Sequence, residues 1–63
     1  MRLSDFWKRM EQRFGDGYAS SVAADYRLNA LGATVNEAIE RGDSAKSVWR
    51  AVCEEFDVPQ RLR

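Results

Sequence analysis

One cysteine and no histidine stand in a chain of 63 residues, and no other feature restricts the fold as much. A chain of this size buries only about 60% of the surface it exposes when unfolded. Small domains therefore add a disulfide, a metal, a partner or unusually good helix packing. Cys53 has no second thiol with which to form a disulfide inside the chain. One thiolate without imidazoles does not supply the Cys/His set of a zinc site. Helix packing or a partner remains. With 44% hydrophobic and 32% charged residues, the chain reads as globular, not disordered.

The hydrophobic pattern is helical nearly throughout. Ser4 is read as the N-cap of a helix over 5–14, because its hydroxyl can accept an orphan backbone N–H. Leu3, Phe6, Trp7, Met10 and Phe14 follow the i, i+3, i+4, i+7 spacing of one face. Asp5 and Arg13 suit the two ends of the helix dipole. Gly15-Asp16-Gly17 reads as a turn. A second helix is expected over 18–31, stopped by Gly32. Its early stripe is Tyr18, Val22 and Tyr26, but Leu28 and Leu31 fall on another face, which points to a kink or break near Asp25 to Arg27.

Thr34-Val35-Asn36-Glu37 is a capping box. It opens a third helix over 35–41, with Val35, Ala38 and Ile39 apolar and Gly42 as the C-cap. Ser44 or Asp43 caps a fourth helix over 45–56, whose stripe is Ala45, Val48, Trp49, Val52 and Phe56, with Cys53 at its edge. The charges of that helix oppose its dipole: Lys46 is in the first turn, and Glu54, Glu55 and Asp57 are at the end. Arg61 and Arg63 are the cations available to offset them. Val58-Pro59 ends regular structure, and the sequence leaves the order of 58–63 open. The expectation is a single all-α domain over 1–63. It is a compact bundle of three to four short helices around Trp7, Phe14, Trp49 and Phe56, the last two helices forming a helix-turn-helix-like hairpin.

Function is less legible. Ten basic and ten acidic residues balance to a net charge of zero, unlike a dedicated nucleic-acid binder. No signal peptide or apolar span of about 20 residues is visible, and a lone thiol suits a reducing compartment, so a cytoplasmic location is expected. Ala38, Gly42 and Val48 are spaced as in a helix-turn-helix. Asp43 departs from that pattern, and Glu54 and Glu55 would repel phosphates. Lys8, Arg9 and Arg13 lie near Phe6 and Trp7, but Asp5 and Glu11 share that polar side. Glu54 and Glu55 diverge by about 100° on a helix and cannot easily converge on one atom. Cys53 has no histidine to activate it and reads as structural. Asp5, Tyr18 and Tyr26 do not assemble into a catalytic set.

Met1 through Trp7, Gly15 through Tyr18-Ala19, Leu31-Gly32, Lys46 through Cys53 and Asp57-Val58-Pro59 resemble the small actinobacterial family called domain of unknown function 3046. The resemblance spans nearly the whole chain, and the opening and the Val48-Trp49-Arg50-Ala51-Val52 stretch are its most specific parts. Gly32-Ala33-Thr34 and Asp43 depart from the family's pattern. The resemblance implies a soluble intracellular bacterial protein. It brings no activity, ligand or catalytic residue.

The sequence reading is therefore a non-enzymatic protein-interaction or regulatory module without cofactor, metal or membrane. Its partner is an unidentified protein or a second copy, docked on Trp7, Arg50, Glu54 and Glu55. The alternative is a DNA-binding protein that reads DNA with the helix over 45–56 through Lys46, Ser47 and Arg50.

Overall fold

The computed structural model describes residues 1–59 and residue 61. Its α-helices are α1 (Leu3–Phe14), α2 (Asp16–Asp25), α3 (Val35–Glu40) and α4 (Ala45–Phe56). Between α2 and α3 lie two short strands, β1 (Arg27–Leu28) and β2 (Ala33–Thr34). The all-α expectation thus needs one correction. The strands pair antiparallel, with Arg27 opposite Thr34 and Leu28 opposite Ala33.

The helix boundaries explain the differences from the sequence reading. α1 begins at Leu3, so Ser4 is inside the first turn and is not its cap. Arg2 occupies that position in extended backbone, with no side-chain cap. Its carbonyl already accepts the Phe6 N–H at 3.0 Å. The turn after α1 is one residue long, not three. Gly15 has φ 92° and ψ 158°, a region open essentially to glycine alone. That single residue separates the two helices, and α2 starts at Asp16 instead of Tyr18.

The second helix ends at Asp25, and the expected break falls there. Tyr26 leaves it in extended backbone, φ −88° and ψ 119°. A helical Leu28 would lie off the stripe that buries Ala19, Val22 and Ala23. As part of β1 it is instead fully buried. The segment beyond it turns tightly, with the Leu31 and Gly32 N–H groups both donating to the Leu28 carbonyl, at 3.2 and 2.8 Å. Arginine side chains satisfy the outer carbonyls. Arg27 Nη1 donates to Gly32 O at 3.0 Å, and Arg41 Nη2 to Leu31 O at 3.2 Å.

The capping box at α3 is formed in both directions. The Glu37 N–H donates to Thr34 Oγ1 at 3.2 Å, and the Thr34 N–H to Glu37 Oε1 at 2.9 Å. The Thr34 bond, aided by Arg27 and Arg41, holds the Glu37 carboxyl below the usual glutamate range. α3 closes at Gly42, φ 102°, in a Schellman arrangement. Gly42 N–H reaches Ile39 O at 3.1 Å, and Asp43 N–H reaches Ala38 O at 3.0 Å. Asp43 then forms a 2.8 Å ion pair with Arg41. Ser44, not Asp43, caps α4, accepting the Ser47 N–H at 3.1 Å.

The far end of α4 closes without glycine, the Asp57 N–H donating to Cys53 O where a Schellman motif would use Glu54 O. Asp57 takes the left-handed conformation, φ 52°, and the Val58 N–H reaches back to Cys53 O at 3.3 Å. Val58 is buried, so the open question of the tail is answered at that residue. Gln60, Leu62 and Arg63 lie outside the described residues. A cation from α1 meets the last turn of α4: Arg13 Nη2 donates to Phe56 O at 3.5 Å. Arg61 is exposed.

The core is more aliphatic than expected. Phe6, Met10, Leu28, Val35, Val48 and Val52 are its largest fully buried side chains. Trp49 joins them, but Trp7, Phe14 and Phe56 are only partly buried and pack around the margin. Leu3, placed on the apolar stripe by spacing, is exposed at the first position of α1. No helix among the described residues is long and apolar enough to cross a membrane.

Candidate partner-binding surface

α4 is the element on which the candidate residues meet. Lys46, Arg50 and Glu54 are spaced by four and so form one row along its exposed side. Together with Trp49 and Cys53, and with Arg9 from α1 across from them, they line an open groove of about 540 Å³. Neither Lys46 nor Arg50 has an ion-pair partner among the described residues. The groove is therefore a cleft with a mostly cationic wall and an apolar floor.

Trp49 supplies part of that floor and is only 4% exposed. Its ring meets Phe6 edge-on, with centroids 6.0 Å apart. Trp7 approaches the same phenyl ring at 5.2 Å, also edge-on. Both tryptophans thus converge on Phe6, but only Trp49 reaches the groove. The Trp49 Nε1–H is buried and has no acceptor among the described residues. A buried donor without a partner costs about 1–3 kcal/mol. The thiol of Cys53 is also buried and free of any disulfide.

Glu55 behaves differently from its neighbour Glu54. It accepts from Tyr26 Oη at 2.9 Å, from the Asn29 backbone N–H at 3.2 Å and from Asn29 Nδ2 at 3.4 Å. That carboxylate ties α4 to the segment that follows α2. The bond and the negative charge hold the Tyr26 phenol above the ordinary tyrosine range. Next to it is an aromatic cluster. Phe56 meets Tyr26 at 4.8 Å and Phe14 at 4.9 Å, and Phe14 meets Tyr18 at 6.2 Å. Arg13 lies over the Phe14 ring, 4.9 Å from its centroid.

The residues expected to dock a partner are therefore divided. Arg50 and Glu54 share the groove. Trp7 lies half-buried beside Phe6, and Glu55 belongs to the Tyr26 network. The DNA-reading set, Lys46, Ser47 and Arg50, is exposed on α4, preceded by an α3 of only six residues. Sequence reasoning missed Arg9 as a groove residue and missed the Tyr26–Glu55–Asn29 network. The first had a weak signal, the basic run in α1. The second had none, since its members are 26 to 29 positions apart. Among the described residues, no group of three or more His, Cys, Asp or Glu could hold a metal ion.

Fold and surface together define a small, mostly helical module that presents an open, largely cationic groove. The chain belongs to the family described as protein of unknown function (DUF3046), which matches it over residues 1–61. No curated protein and no solved structure matches it.

Proposed function

We propose that this chain is a non-enzymatic protein-interaction module of the cytoplasm, and that the groove between α1 and α4 is where it docks. The observation that carries this is the row of Lys46, Arg50 and Glu54 beside the buried Trp49. Polar side chains without partners next to a covered aromatic floor match the rim and centre of a protein interface. The reading as a non-enzyme rests on the chemistry of the groove. Its thiol is covered, and no imidazole stands near it to act as a base. A buried lone cysteine suits a reducing compartment.

DNA reading by α4 is the second proposal, supported by the exposure of Lys46, Ser47 and Arg50 along its first turns. Both proposals are tested by placing a photo-crosslinking residue at position 50, with position 20 on α2 as control, in a lysate with and without nuclease. A nuclease-resistant protein adduct at position 50 alone is expected. A nucleic-acid adduct there would put the DNA reading first, and equal adducts at both positions would remove the groove from consideration.

A further inference from the structure

We infer that the groove takes an acidic peptide segment, in which carboxylates flank an apolar residue seated over the Trp49 and Cys53 floor. The inference rests on the reading of the groove as a docking site and names the partner's chemistry.

The Lys46 charge is placed where the fold gains nothing from it, whereas Arg50 stands four residues before Glu54, a spacing that favours the helix slightly. Lys46 is in the first turn of α4, at the positive end of the dipole, and α4 has no acidic residue in that turn. Arg50 follows at i+4, so two like charges lie side by side on one helix face. Both arrangements disfavour the free protein slightly. An anionic occupant relieves both. Among the described residues Glu54 is the one carboxylate of the lining, set against Lys46 and Arg50. That balance selects against basic and neutral segments.

The floor narrows the class further. Trp49 is too deeply covered to serve as a stacking platform for a nucleobase, which is how a single strand would use it. Glu54 stands in the same row and would repel a continuous polyphosphate, whereas a peptide can place its carboxylates at Lys46 and Arg50 and avoid it. An apolar side chain of the peptide covers the Trp49, Cys53 and Met1 side of the cleft.

The test is selection of a random-peptide display library on the intact folded protein. Binders are then mapped by NMR of the two tryptophan indole N–H signals. Enriched peptides are expected to carry Asp or Glu around an apolar residue and to move the Trp49 signal more than that of Trp7. Their affinity should fall about tenfold in Arg50→Glu, the scale of losing one interfacial charge pair. It should also fall in Lys46→Glu, which reverses the other cation of the row. Circular dichroism confirms that both variants are folded. Enriched peptides without acidic bias that still move the Trp49 signal would overturn the inference and leave the docking site standing. No enrichment, or binders that leave Trp49 unmoved, would overturn both. So would an oligonucleotide that moves Trp49 more than the best peptide does. A Trp49 signal that moves with protein concentration alone would replace the acidic segment by a second copy of the chain.

Discussion

Glu54 and Glu55 are neighbours in sequence, carry the same charge and end the same helix, yet they belong to different parts of the molecule. Glu55 is held by three hydrogen bonds from Tyr26 and Asn29. Glu54 faces the groove with no ion-pair partner among the described residues. The 100° that separates adjacent helical residues decides this. One side of α4 closes the fold, and the other is left for something else. A surface charge is informative when the fold does not use it.

The largest expected effects test the boundary between the two sides. Trp49→Ala should destabilise the protein by about 3–5 kcal/mol, as for a buried aromatic truncated to a methyl. Trp49→Phe should stay within about 1 kcal/mol of wild type, because the lost contact area is offset by removal of an unpartnered donor. Thermal denaturation of both measures the difference. If Trp49→Phe is as damaging as Trp49→Ala, the core needs the whole indole and the unpartnered donor offsets nothing.

Gly15→Ala comes next. Its φ of 92° and ψ of 158° put an L side chain in a region costing about 1–3 kcal/mol. Urea unfolding should show a lower midpoint at unchanged slope. The direct comparison of the two carboxylates is smaller. Glu55→Ala should cost about 1 kcal/mol, and Glu54→Ala should stay within about 0.5 kcal/mol. Equal effects in the same unfolding assay would break the contrast.

The pH dependence sharpens it from another direction. The Tyr26 phenol is raised by its bond to Glu55. Its stabilising contribution is complete below the unfolded tyrosine pKa and is lost as pH rises through the folded value. Glu37 is lowered, so its contribution is present above the unfolded glutamate pKa and is lost as pH falls through the folded value. Glu55→Gln should therefore flatten the alkaline limb of a stability-against-pH curve and leave the acid limb in place. The smallest effect is at the groove: Arg50→Glu should change stability by no more than about 0.5 kcal/mol.

Much of the helical framework was legible because its signals are local. The Thr34–Glu37 capping box, the Ser44 cap, the glycine closing α3 and the break after Asp25 each involve residues a few positions apart. The sheet was not legible, because two-residue strands carry no periodicity to read. Leu28 falling off the stripe announced only that something other than a helix followed. The candidate site was half legible. Arg50 and Glu54 followed from the exposed row of an amphipathic helix. Arg9 needed the packing of α1 beside α4, and the Tyr26–Glu55–Asn29 contacts needed β1 to bring the segment after α2 against α4.

The sequence by itself determined the helical class, the absence of a disulfide staple, the starts and stops of α3 and α4, and membership in its family. These depend on composition, on short-range caps and on the 3.6-residue period. Only the tertiary structure decided that Phe6 and the valines, and not the larger aromatics, occupy the centre. It also decided that Trp49 is covered while its N–H goes unpaired, and that one of two adjacent glutamates is used by the fold. Those outcomes depend on which helix faces meet, and that is settled by competition for a small core among residues far apart in the chain.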